Sequence, residues 1–246
     1  MKRLVLLTAL VASAASAQLS EKPADAIVPV IGSTRGQSNS NFKTELQITN
    51  QTGSQMTGWL IFHPQGQSGS ITDPVLRYEL AAHATVAYAD VVAALGTTGL
   101  GSLDVFVDRG QIPTIVARAF DDQATGTTGV AVPLVRTSAA LGHDETVALI
   151  APRDLARFRF NIGLRTLANG VTLDLIVRDS AGAERHRKSV TYPATFFDQF
   201  PGDVFAGTQL RANDSIEIRI ASGSAFIYAT TVDNQTNDSS LQLLRK

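Results

Sequence analysis

Phe42-Lys-Thr-Glu-Leu-Gln-Ile-Thr-Asn50 alternates, with Phe42, Thr44, Leu46 and Ile48 on one side and Lys43, Glu45, Gln47 and Thr49 on the other. Successive side chains of a strand point to opposite faces, so this period of two predicts a half-buried strand. The outline returns as Phe158-Arg-Phe-Asn-Ile-Gly-Leu-Arg-Thr166, with Phe158, Phe160, Ile162 and Leu164 inward and Arg157, Arg159, Asn161 and Arg165 outward. A second pair of runs matches as well. Leu103-Asp-Val-Phe-Val107, Gly110 and Ile115 to Asp121 correspond to Ile216-Glu-Ile-Arg-Ile220, Gly223 and Phe226 to Asp233. The copies lie roughly 110 residues apart, too far for a stacked solenoid repeat and about the length of one small domain.

Turn-forming residues punctuate the chain into runs of strand length. Asn169-Gly170 stands between two alternating runs, since Val171, Leu173, Leu175 and Val177 continue the inward face, and it predicts a two-residue hairpin. Helical spacing is confined to Asp90–Leu95 and Ala194–Phe200. About seven short antiparallel strands per copy, with no helical crossover, predict an all-β chain of two tandem immunoglobulin-like antiparallel β-sandwich domains. The expected boundaries are 26–136 for the first, 137–144 for a linker and 145–246 for the second.

The N-terminus reads as an export signal: Met1-Lys2-Arg3, an apolar run from Leu4 to Ala12, then Ala15-Ser16-Ala17 ahead of Gln18. Residues 1–17 are the expected signal peptide, cleaved after Ala17, and 18–25 a loose mature N-terminus; the localisation is secreted or periplasmic. No later apolar stretch has the length of a membrane-spanning helix. The chain has no cysteine, so each domain must hold by packing alone, for which 44% hydrophobic and 17% charged residues provide the material. The same absence removes thiolate metal sites, thiol nucleophiles and disulfide chemistry. The formal charge of -1 becomes about -3 once Lys2 and Arg3 leave, which gives no electrostatic basis for binding nucleic acid.

Motifs that carry chemistry are mostly absent from the sequence. His63, His83, His143 and His186 have no i,i+2 or i,i+4 pair, and there is no Gly-x-Ser-x-Gly, His-Glu-x-x-His or phosphate-binding glycine loop. No metal or cofactor is expected. Asp104, Asp108, Asp121 and Asp122 invite a calcium reading. A hairpin around Gly110 would instead pair Asp104 with Arg118. Asp233-Asn-Gln-Thr-Asn-Asp238 has the oxygens for a cation loop, and equally the residues of an ordinary turn.

Two surface features remain as candidate binding sites. Arg157, Arg159, Arg178 and Arg187 crowd the early strands of the second copy among Asp154, Asp174 and Glu184, forming either a solvated mixed-charge face or a site for an acidic glycan or an envelope protein. In Met56–His63, Trp59 and Ile61 face opposite to Leu60 and Phe62, so both sides are apolar. One side fills a core, and the other meets the second domain, a loop or a partner.

Ile27-Val-Pro-Val-Ile-Gly-Ser33, the Phe42–Asn50 strand and the short helix near Asp90 resemble tandem immunoglobulin-like modules of exported bacterial proteins. That resemblance implies the fold and export, with no assigned activity. Periplasmic pilus chaperones are similar in size and domain number, but no segment here matches their anchoring residues. The expectation is an exported non-catalytic binding or structural module of the envelope or exterior. The alternatives are a hydrolase whose acids converge only in the fold, and a periplasmic assembly chaperone.

Overall fold

The computed structural model describes residues 23–37, 40–70, 72–124 and 126–244. The expected signal peptide, 1–17, lies outside them, as does 18–22 of the expected loose N-terminus. From Ala24 onward that terminus is tied down: Ala24 is buried, Asp25 N–H donates to Val105 O at 2.9 Å, and Asp25 Oδ2 accepts from Val107 N at 2.8 Å.

The chain is all-β, with two antiparallel sheets. The first half supplies β1 (Ala26–Arg35), β2 (Asn41–Thr49), β3 (Met56–Pro64), β4 (Gln67–Ser68), β5 (Val75–Leu80), β6 (Thr85–Tyr88), β7 (Gly99–Arg109), β8 (Thr114–Gln123), β9 (Gly126–Val132) and β10 (Val135–Arg136). The second supplies β11 (Leu141–Gly142), β12 (Thr146–Ile150), β13 (Phe158–Arg178), β14 (Glu184–Tyr192), β15 (Phe196–Pro201), β16 (Ser215–Asp233) and β17 (Ser239–Leu244).

The nine-stranded sheet runs β5-β3-β7-β1-β2-β8-β9, with β10 on β1 and β6 on β2. Strand β1 changes layers along its length, pairing β7 from Ala26 to Ser33 and β2 at Thr34 and Arg35. The sheet therefore folds over itself, and Leu60, Phe62, Leu103 and Val105 of one layer meet Leu46, Ile48, Ile115 and Ala117 of the other in a single core. Each fully buried Leu, Ile or Phe side chain stabilises the fold by about 1.5–3 kcal/mol relative to exposure.

The eight-stranded sheet repeats this plan with longer strands. Phe158–Thr166 of β13 pairs Asp233–Ala225 of β16, and Val171–Arg178 pairs Gly223–Ser215. The register matches the first half, where Phe42 lies opposite Asp121 as Phe158 lies opposite Asp233. The first half passes between layers by loops after β2 and β7, whereas β13 and β16 bend without ending.

That bend corrects the hairpin expected at Asn169-Gly170. Gly170 does have a positive φ, +65°, but the runs on either side pair with β16 rather than with each other. A corner within a strand asks for the same left-handed residue as a tight turn, so the local signal was ambiguous. Gly223 (φ +76°) faces it so closely that a Cβ there would lie 2.1 Å from Gly170 O. The Asp104–Arg118 pairing is overturned too. β7 and β8 never pair, and Arg118 instead lies opposite Glu45, 3.7 Å away.

The short helix near Asp90 is α1 (Val91–Ala94), capped by Asp90 Oδ1 accepting from Val92 N and Ala93 N at 3.1 Å each. In the second half the helical turn is displaced: Phe196–Pro201 is strand β15, paired with β13, and α2 (Gly202–Ala206) follows it. Residues 137–144, expected as a linker, include a 3-10 turn at Thr137–Ala139 and β11, which pairs β16, and Ala140 and Leu141 are buried.

Candidate functional site

The two halves are packed together on the back of β3 and β7. In their antiparallel register Trp59 lies opposite Phe106, Ile61 opposite Asp104 and His63 opposite Ser102, so these six side chains share the face turned away from the first core. Trp59 and Ile61 pack against a buried cluster of Ala24, Ile27, Phe106, Val135, Ala140 and Phe226 of β16. Trp59 Nε1 donates to Asp108 Oδ2 at 2.8 Å, and the Arg77 guanidinium lies 5.5 Å from its ring centroid. The second half also reaches into the first core, which includes Phe197 of β15 and Tyr228 of β16, and Tyr228 O–H lies 3.0 Å from Gln199 Oε1.

A charged cluster is sealed within this joint. Arg165 Nη2 of β13 donates to Asp104 Oδ2 of β7 at 2.7 Å, with side-chain exposures of 2% and 6%. His63 lies between two carboxylates, its Nε2 3.1 Å from Asp104 Oδ2 and its Nδ1 2.6 Å from Asp73 Oδ2. Asp73 Oδ2 also accepts from Ser70 N at 3.0 Å. Arg165 sits on the outward face of its own sheet, as its alternation predicts, but the first half covers that face.

An ionised carboxylate at each ring nitrogen requires both nitrogens to carry hydrogen, which is the imidazolium form. The cluster then holds two positive and two negative charges and is neutral, the condition under which buried charge is tolerable. Burial pushes the His63 pKa down, but the Asp104 charge and the hydrogen bonds to Asp104 and Asp73 outweigh it even beside Arg165, so the net shift is upward from 6.5. For Asp104, burial acts upward and is outweighed by Arg165 and His63, which hold its carboxyl below the usual 3.8.

What this cluster can do chemically is limited. Both ring nitrogens are engaged by carboxylates, so His63 has none free to take a proton from Ser102, and Ser102 Oγ, Asp104 Oδ1 and Arg165 Nε make no hydrogen bond among the described residues. Asp73 and Asp104 flank the imidazole instead of converging on a point. Among the described residues no group of three His, Asp or Glu side chains is arranged to hold a metal.

The arginine candidates fall into two separate places. Arg157 binds Asp233, with Nε and Nη2 2.9 and 2.8 Å from Oδ2, and lies over the Phe158 ring; Arg159 donates to Asn234 Oδ1 at 3.2 Å and Asn237 Oδ1 at 2.8 Å. At the other end of β13, Arg178 donates to Glu217 at 3.0 Å and Arg187 to Glu184 at 2.8 Å. All four guanidinium groups have partners within the chain.

The oxygens of the Asp233–Asp238 segment are also engaged. Asp233 Oδ1 accepts from Gln235 N and Thr236 N, an Asx-type turn, while Arg159 supplies the positive charge the segment faces. Asn237 Nδ2 then donates to Asp121 Oδ2 at 3.0 Å, a second link between the halves.

Sequence reasoning missed the buried cluster. Its visible sign was an acid within the apolar run Leu103-Asp-Val-Phe-Val107, and nothing local pointed to Arg165, 61 residues away. No protein-family model and no curated protein matches the chain.

Proposed function

We propose that this chain is an exported, non-catalytic binding or structural module of the cell envelope or exterior, built as two joined sandwiches that present loops and sheet edges to an envelope protein or glycan. The observation that carries this reading is the buried joint. His63, Asp73, Asp104 and Arg165, each with a side chain 7% exposed or less, neutralise one another between the halves with both ring nitrogens engaged, whereas a catalytic set must face a substrate. The signal-like Met1–Ala17 pattern supports export.

The matched registers of β2–β8 and β13–β16 support a tandem relationship between residues 26–136 and 145–246. Pairing of β2 with β6 and of β3 with β7 is the arrangement of the second, third, fifth and sixth strands in an immunoglobulin-type sandwich. Here β1 flanks β7 and β8 flanks β2, so the proposed relation is to that class with its first and last strands exchanged.

The test is capture of envelope components by the purified mature chain, with N-terminal sequencing of the exported form. Export with a start at Gln18 and saturable binding to an envelope protein or glycan are expected. Recovery of intact Met1 outside the cytoplasm, or turnover of a substrate without stable binding, would overturn the reading.

A further inference from the structure

The eight-stranded sheet ends on a strand from the wrong half of the chain. Its order is β11-β16-β13-β15-β4, so the two residues of β4, both exposed, cover the outer edge of β15. Ser68 pairs Phe196 and Gln67 pairs Phe197, Gly66 N donates to Phe197 O at 2.9 Å, and Gly69 N donates to Thr195 O at 2.7 Å. Gln65 Nε2 adds contacts of 2.7 Å to Asp198 Oδ1 and 2.9 Å to Gln199 O.

Two features lie beneath this segment. Thr195 adopts φ +52°, a strained conformation for a β-branched residue, and is held there from both halves by Gly69 N and by its own N–H to Leu167 O at 3.0 Å. Gly69 passes so near that a Cβ on it would lie 2.5 Å from Thr195 Cγ2 and 2.7 Å from His63 Nδ1. Beyond Gly69, Ser70 N and Asp73 complete the contact with the ring.

We propose that residues 65–70 form a strap over the edge of β15, locked by doubly protonated His63 through Asp73 and released when the ring loses one proton. A neutral imidazole has a single N–H and can satisfy only one of its two carboxylates. Asp104 stays, because Arg165 holds it. Asp73 is as buried as Asp104, each side chain being 6% exposed, but among the described residues it pairs with no guanidinium, so it is the one that gives way. The ionisable groups facing the ring are Asp73 from the turn just after the strap, Asp104 from β7 and Arg165 from β13, while Ser102 and Thr195 bring no charge. Release would leave the Thr195 and Phe197 carbonyls without their strap donors.

The test is amide hydrogen exchange on the mature chain across pH 5 to 9, roughly the span in which a histidine titrates, with the His63 ring followed by NMR. The protection factors of the Gly66 and Gly69 amides are expected to fall by about tenfold, the weight of a hydrogen bond to a charged group, with the midpoint of the His63 titration. In Asp73→Asn the amide can donate to Nδ1 while Nε2–H serves Asp104, so neutral His63 is fully bonded, its midpoint should move down, and the strap should stay protected throughout. Protection that remains flat while native His63 titrates overturns the proposal on the native chain alone, and an unchanged step in Asp73→Asn overturns it equally.

Discussion

Replacing Arg165 by Met is the sharpest probe of the joint, because it removes one charge from the interior and leaves a side chain of similar reach. Asp104, 6% exposed, would then face His63 alone, with its guanidinium partner at 2.7 Å gone. Breaking a buried pair from one side costs about 3–5 kcal/mol, since the remaining charge stays desolvated, and that is a large part of the roughly 5–15 kcal/mol that holds a typical protein. Removing both charges in Arg165→Met with Asp104→Leu should recover most of this loss, as an apolar replacement of both partners is often neutral. The assay is urea unfolding followed by fluorescence of the single tryptophan, Trp59, which packs on the joint. Arg157→Ala is the exposed control and should move the midpoint far less. If Arg165→Met costs no more than Arg157→Ala, or the double variant loses the sum of the two single losses, the joint is not held as described.

Three further outcomes follow from the same packing. Phe160→Ala should cost about 3–5 kcal/mol in denaturant melts, because the ring fills the second core, and a negligible loss would place the strand in another register. Gly223→Ala forces a side chain onto Gly170 O at a positive φ and should lower Tm by more than about 4 °C, whereas an unchanged melt would mean that the β13–β16 corner is looser than drawn. The pH dependence has a definite sign: His63 is raised, so its stabilisation is complete below its unfolded value of 6.5 and is lost as pH rises through the higher folded value. Asp104 is lowered, so its contribution is present above 3.8 and is lost as pH falls through the lower folded value. His63→Gln should therefore flatten the alkaline limb of a stability profile and leave the acid limb, and an alkaline limb of native depth in that variant would refute the assignment.

The period-two runs of Phe42–Asn50 and Phe158–Thr166 carried the strand assignments and their inward faces, because alternation is a property of a single strand and half-burial selects apolar residues at every second position. Asp90 before Val91 likewise announced its helix, since an N-cap acts within one turn. Which strands pair is a non-local matter, and there the local signals ran out. Asn169-Gly170 specified a positive φ but not whether the chain turns back or bends onward, a choice made by β16 more than 40 residues later. The partner of Asp104 was settled in the same way: alternation placed Arg165 outward, correctly for its own sheet, but only the docking of the two halves turned that outward face into an interior. Burial depends on what covers a surface, so Arg165, Asp104, His63 and Asp73 became one neutral cluster through tertiary packing alone.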